Sequence, residues 1–175
     1  MVHFILKLSK KRVGFDMARD LQGMHIVVVG ATGVLGSKIA AHLSQAGTAV
    51  SGIVRKADQL DSATVSRHVV ADITNTASLR AAFEQLAPFD GVINAAGVVA
   101  FGNITEVHDK TLTDLFAINS IAPIVMLRES APHITADGFF LNISATTAVW
   151  GMLKLTYLVV NFYFNFLKGV TGYVW

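Results

Sequence analysis

Cysteine is absent from the 175 residues. That excludes a disulfide framework, a thiol nucleophile and a thiolate metal site, and it suits a reducing cytoplasm, the location expected for this chain. Charge is scarce as well, at 15% of residues against 53% hydrophobic, and the formal net charge is only +2. The surplus sits in the first 23 residues, where Lys7, Lys10, Lys11, Arg12 and Arg19 outnumber Asp16 and Asp20. From Met24 onward nine basic residues face ten acids, so the body of the chain lacks the basic stripe a nucleic acid requires. Long apolar runs are missing too. The tail offers only the eleven residues Tyr157 to Leu167, with Asn161 and Asn165 inside them, whereas a membrane span takes about 20. The six histidines are scattered without metal-ligand spacing, and no internal repeat is found.

What is present is organised around Met24 to Gly47, MHIVVVGATGVLGSKIAAHLSQAG. His25 to Val29 is a β-branched, apolar run of the kind covered on both faces of a parallel sheet. Glycines follow at Gly30, Gly33 and Gly36, and Leu35, Ile39, Ala40 and Leu43 then recur at helical spacing up to Gly47, placed to cap the helix end. The helix therefore opens inside the glycine run. Its first-turn N–H groups and the positive end of its dipole face outward there, and residues without side chains let a diphosphate approach. The expected ligand is the pyrophosphate of a dinucleotide; the alternative is a glycine-rich turn with no ligand.

Along the rest of the chain, strands are expected at Thr48 to Val54, Val65 to Ala71, Gly91 to Asn94 and Gly138 to Ser144. Leu79, Ala82, Phe83 and Leu86 mark a helix that Pro88 helps to end. A longer helix runs from about Thr111 to Glu129, with a kink expected at Pro123. Alternating strands and helices with short links predict an α/β doubly wound parallel sheet, Rossmann-like, of about five strands. Residues 1–23 read as an extension, an arm, a weak targeting segment or translation begun upstream of a start at Met24. Residues 24–152 read as the nucleotide-binding domain and 153–175 as an atypical hydrophobic tail.

Five features fall in one order: GATGVLG at Gly30 to Gly36, Asp72-Ile73-Thr74 after the third strand, Asn94-Ala95-Ala96-Gly97 after the fourth, Asn119 in the long helix and Ser144 after the fifth strand. In this order they resemble the short-chain dehydrogenase/reductase family over Met24 to about Met152. The resemblance implies hydride transfer between a nicotinamide and a carbonyl or secondary alcohol carbon of a small-molecule substrate. It implies cofactor contacts from Gly30, Thr32, Gly33, Leu35, Gly36, Asp72, Ile73, Asn94, Ala95 and Ala96, with Asp72 toward the adenine. The residues themselves leave Asp72 open as a helix cap or turn residue and Asn94 as a strand-end turn former. Cofactor preference is read from charge. Where an acid at the end of the second strand would bind the NAD ribose, Val54 is followed by Arg55 and Lys56. Arg55 can pair with a 2′-phosphate, so NADP is favoured over NAD; the alternative is two solvated surface cations. The Gly-x-x-Gly-x-x-Gly spacing departs from the family's more usual pattern.

The resemblance also implies catalytic roles for Asn119, Ser144 and Tyr157, the last lying thirteen residues after Ser144. The family's lysine four residues after the tyrosine is missing, because Asn161 stands there. A phenol with its ordinary pKa of about 10 is a poor base at neutral pH. The tail LKLTYLVVNFYFNFLKGVTGYVW lacks the family's small-residue helix, later strands and lid. A one-nucleotide reading-frame shift after the tyrosine codon, which would turn Tyr-Ser-Gly-Ser-Lys-Phe into Tyr-Leu-Val-Val-Asn-Phe, is one expected origin of the change, and sequencing of the source DNA tests it. Two functions follow: an NADP(H)-linked oxidoreductase, or a catalytically silent nucleotide-binding fragment of the same family. Family members form homo-oligomers through the helices flanking the active site, and the second of these is altered here.

Overall fold

The computed structural model describes residues 21–58, 60–100 and 104–143 and two short strands at 166–167 and 170–171. The elements are β1 (His25–Val29), α1 (Val34–Gln45), β2 (Ala49–Val54), β3 (Arg67–Val70), α2 (Thr76–Leu86), β4 (Phe89–Asn94), α3 (Asp109–Phe116), α4 (Ala122–Ser130) and β5 (Ile134–Asn142). β6 (Phe166–Leu167) and β7 (Val170–Thr171) follow. The sheet order is β3-β2-β1-β4-β5-β6-β7. The first five strands are parallel, so the expected doubly wound α/β fold is the one observed. β6 and β7 instead continue the sheet as an antiparallel pair, which the sequence reading left out of the sheet altogether.

β1 is central and buried on both sides. Val27 and Val29 join Phe83, Phe89, Met126 and Phe140 in one core, while Ile26 and Val28 join Ala40, Leu43, Val50 and Ile93 in the other. This alternation follows from the two-residue period of a strand. On α2 the four residues chosen by spacing, Leu79, Ala82, Phe83 and Leu86, are all buried, and each of the three large ones adds about 2 kcal/mol of transfer free energy. Asn75 caps this helix by accepting the Ser78 N–H at 3.0 Å.

Several boundaries differ from expectation. Strand β3 is shorter than Val65–Ala71 because Val65 still belongs to a turn, its N–H bonded to the Asp61 carbonyl. Strand β5 begins earlier than Gly138, since the register shifts between Phe89↔Ile134 and Gly91↔Phe139. Gly138 fits this irregularity because an added Cβ would collide with Ile134 and come within 2.5 Å of the Asp90 carbonyl. The helix after β4 runs from Asp109 to His133 without interruption. It absorbs Pro123 through a π turn over Ala117–Ile121, in which the Ala122 N–H reaches the Ala117 carbonyl. By length and composition this helix, missed as such, is apolar enough to cross a membrane; here it lies against the sheet and α2. Leu35 is not on the buried stripe of α1. That stripe is Gly36, Ala40 and Leu43, and Leu35 is 45% exposed.

Two polar clusters hold the layers together. His25 Nδ1–H donates to the Pro88 carbonyl at 2.8 Å, which leaves Nε2 to accept from the buried Ser51 hydroxyl at 2.8 Å. A carbonyl can only accept, and this fixes the tautomer. Between α2 and α4, Arg80 and Arg128 both donate to the Glu129 carboxylate, at 2.8 and 2.7 Å, and hold its pKa below the ordinary value.

Candidate cofactor-binding and active site

β1 has β2 on one side and β4 on the other, so the connections from β1 and β4 leave the carboxyl edge in opposite directions. Such a switch point opens a crevice. The turn after β1 fills it with backbone. Gly30 has a φ of +81°, and its N–H donates to the Ile53 carbonyl at 2.8 Å. A Cβ there would sit 2.9 Å from the Ala96 nitrogen, so Gly30 lets the chain after β4 close against the turn. Gly36 has a different task. A Cβ on it would collide with the Gly30 carbonyl oxygen, so its bare backbone lets α1 rest on the end of β1. Gly33 is the N-cap residue, and a Cβ on it would meet only the Gly30 carbonyl oxygen, at 3.2 Å. α1 has no side-chain cap bond and no acid in its first turn. Gly33 and the amides after it thus fit a phosphate group sterically and electrostatically. Thr32 is half-buried beside them.

At the end of β3, Asp72 is exposed, and its Oδ1 accepts both the Thr74 hydroxyl at 2.7 Å and the Thr74 N–H at 2.9 Å. Of the two alternatives left open by the sequence it is the turn former, since Asn75 provides the cap. The Thr74 hydrogen bonds lower its pKa, desolvation opposes them in part, and the charge of Arg55 adds the smallest lowering. Arg55 and Lys56 are both exposed beyond β2, and Ile73 is half-buried against the core beneath α2.

Asn94 is buried at the end of β4. Its Nδ2 donates to Asn142 Oδ1 at 2.7 Å and its Oδ1 accepts the Ala96 N–H at 3.0 Å. The side chain thereby ties β4 to β5 and turns the chain through Ala95 and Ala96, both half-buried. Asn119 is buried in the π turn, and its amide is consumed by one residue, accepting the Val98 N–H at 2.9 Å and donating to the Val98 carbonyl at 2.8 Å. Because Pro123 has no N–H, the Asn119 carbonyl lacks its usual helical donor. Ser144, Tyr157 and Asn161 lie outside the described residues. The last described position before Ser144 is Ile143, whose N–H donates to the Asn94 carbonyl at 3.0 Å.

Sequence reasoning missed Asn142 and Val98. Asn142 stands opposite Asn94 in the β4–β5 register, and Val98 is fixed by a side chain 21 residues away. Strand register supplies the first of these and neither has a local signal.

The model of the short chain dehydrogenase family matches residues 24–157. The chain belongs to this family. The short-chain dehydrogenase/reductase AacuN of Aspergillus aculeatus is 26% identical over 131 residues, which cover 73% of this chain and 49% of the relative. The short-chain dehydrogenase mdpC of Emericella nidulans is 27% identical over 144 residues, 80% of this chain and 49% of that protein. The chain thus spans about half the length of the curated relatives it matches. Among solved structures, the short-chain dehydrogenase/reductase of Serratia marcescens is similar with a TM-score of 0.68 and 27% identity, covering 74% of this chain and 58% of that one. A Burkholderia cenocepacia short-chain dehydrogenase solved in complex with NADP shares the fold at a TM-score of 0.69 and 22% identity, over 75% of this chain and 59% of that chain.

Proposed function

We propose that this short-chain dehydrogenase binds NADP(H) across the carboxyl edge of the sheet and serves oxidation or reduction at a small-molecule carbonyl or secondary alcohol. The observation that carries the reading is the glycine turn, where Gly36 seats α1 on the Gly30 carbonyl, the Gly33 N–H donates to that same carbonyl at 2.9 Å, and the space beside the Gly33 Cα stays open at the first turn of α1. In this reading Gly30, Thr32, Gly33, Leu35 and Gly36 hold the pyrophosphate and the ribose beside it. Asp72 and Ile73 border the adenine, and Asn94, Ala95 and Ala96 form the floor. Arg55 pairs with the 2′-phosphate, for which a cation free to turn toward solvent is suited.

When bound, the nicotinamide supplies the hydride donor or acceptor. The protein's part is to hold the reacting oxygen and its proton. Ser144 orients the oxygen, Tyr157 exchanges the proton, and Asn119 anchors the helix turn to which Pro123 offers no N–H. With a neutral amide at Asn161 in place of a lysine, nothing in that motif lowers the phenol from about 10, so turnover at neutral pH is expected to be slow. That residue favours the second reading, a nucleotide-binding chain with no turnover.

NADPH fluorescence titration tests the shared part of the two readings, and turnover of a carbonyl panel with a Tyr157→Phe control separates them. Arg55→Ala is expected to weaken NADPH binding about tenfold and leave NADH binding unchanged. Absence of NADPH binding by the wild type overturns both readings; turnover abolished by Tyr157→Phe supports the first.

A further inference from the structure

The carboxyl edge of the sheet is electrically lopsided. Beyond β2 come Arg55, Lys56, Asp58 and Asp61, and beyond β3 comes Asp72. On the other side of the switch point the sequence has no ionisable side chain from Gly91 to Thr105, nor from Ile26 to Ser37 in the turn after β1. These uncharged connections are apolar and open to solvent: Leu35 is 45% exposed, Val98 37% and Val99 49%. They are also adjacent, because Gly30 closes on Ala96, and the Asn119 amide fixes Val98 from both sides. A loop clamped with its valines exposed differs from one that simply lacks charge.

We propose that the compound taken beside the loop after β4 is a neutral, apolar carbonyl compound or alcohol, recognised through Val98 and Val99, and that oxo acids, sugar phosphates and other anions are excluded. The inference rests on the cofactor reading above, which lays the pyrophosphate over the turn after β1 and the 2′-phosphate on Arg55, and so leaves the loop after β4 to the substrate. An anion brought to the β4 side would lose hydration with no cation in the loop to replace it. Arg55 and Lys56 belong to a strand two places away, roughly 10 Å at about 4.8 Å per strand. The first cation of α1 is Lys38, a turn beyond Val34 and Leu35, and the first ionisable group after the loop is the acid Glu106. A neutral apolar group, by contrast, covers exposed valine surface and gains by it.

The test uses the full chain saturated with NADP⁺ and compares acetophenone with phenylglyoxylate, which differ by a methyl against a carboxylate, through saturation-transfer NMR titration. The NADP⁺ signals in the same sample report cofactor binding separately. Acetophenone is expected to bind at least about tenfold more tightly, and Val99→Lys to erase or reverse that ratio. Should the variant fail to fold, the wild-type ratio decides. With NADP⁺ bound, equal or tighter binding of phenylglyoxylate overturns the inference alone, as does binding of neither ketone at millimolar concentration. Loss of phenylglyoxylate binding in Lys38→Met would then identify the cation responsible. Failure of NADP⁺ itself to bind removes the cofactor reading on which the inference stands.

Discussion

At Gly36 an added Cβ would run into the Gly30 carbonyl oxygen and lie 2.8 Å from the Gly30 carbonyl carbon and 3.1 Å from the Ala31 Cα, all of it backbone. Gly36→Ala must therefore push α1 off the sheet, and a loss of about 2 to 3 kcal/mol is expected in urea unfolding. At Gly33 the same methyl meets one carbonyl oxygen at 3.2 Å and otherwise open space. Gly33→Ala should cost only about 1 kcal/mol, the difference between glycine and alanine at an N-cap, yet weaken NADPH binding about tenfold or more because the methyl stands where a phosphate would approach. Folding and binding are thus separated by a pair of identical changes three residues apart. Asp72 offers a third residue-scale test. Its folded pKa is below the ordinary 3.8, chiefly through the Thr74 hydroxyl. The stabilisation is therefore complete above the ordinary value and lost as pH falls through the lowered one. Thermal melts should show Asp72→Asn less stable than wild type at pH 7, with the gap narrowing as the pH drops below about 4.

Among the elements, the helix from Asp109 to His133 does more than cover the sheet. Its π turn swings Asn119 inward to hold Val98, and its last turns carry Glu129 between Arg80 and Arg128. The loop after β4 is consequently positioned by an element that follows it in sequence. Asn119→Ala removes both bonds to Val98 at once, and the half-solvated loop can recover part of them from water, so a loss of about 1 to 2 kcal/mol is expected. The sharper readout is hydrogen exchange at Val98, which should rise in the variant while β1 amides stay protected. If Val98 exchanges no faster, the clamp is not what orders the loop. The spacing of Leu115, Asn119, Ala122 and Met126 makes the helix legible from its sequence; the wider turn that aims Asn119 is not, because Pro123 dictates a missing hydrogen bond without dictating how the backbone adjusts.

For the whole molecule, Phe116, Ile121 and Ile124 are 45%, 58% and 48% exposed along that helix, an apolar line on the surface. Concentration-dependent self-association is expected on size-exclusion chromatography, reduced by Ile121→Lys with Ile124→Glu; a wild type that elutes as a monomer at every concentration would refute it. The five parallel strands, the helices between them and the position of the glycine turn were readable from composition and period, because burial on two faces demands β-branched runs and helix packing demands a spaced apolar stripe, whereas the antiparallel pair β6 and β7 was not. Leu35 shows the limit: spacing placed it inward, whereas the close seat of Gly36 on Gly30 rotated the stripe and left Leu35 outside. The β4–β5 bond between Asn94 and Asn142, the clamp on Val98 and the division of the carboxyl edge into a charged and an uncharged half likewise exist only once strands are set side by side. Local order follows from neighbours in the chain, so the sequence by itself determined it. Strand register, the facing of side chains and the meeting of distant loops depend on which surfaces close against each other, and those the tertiary structure alone decided.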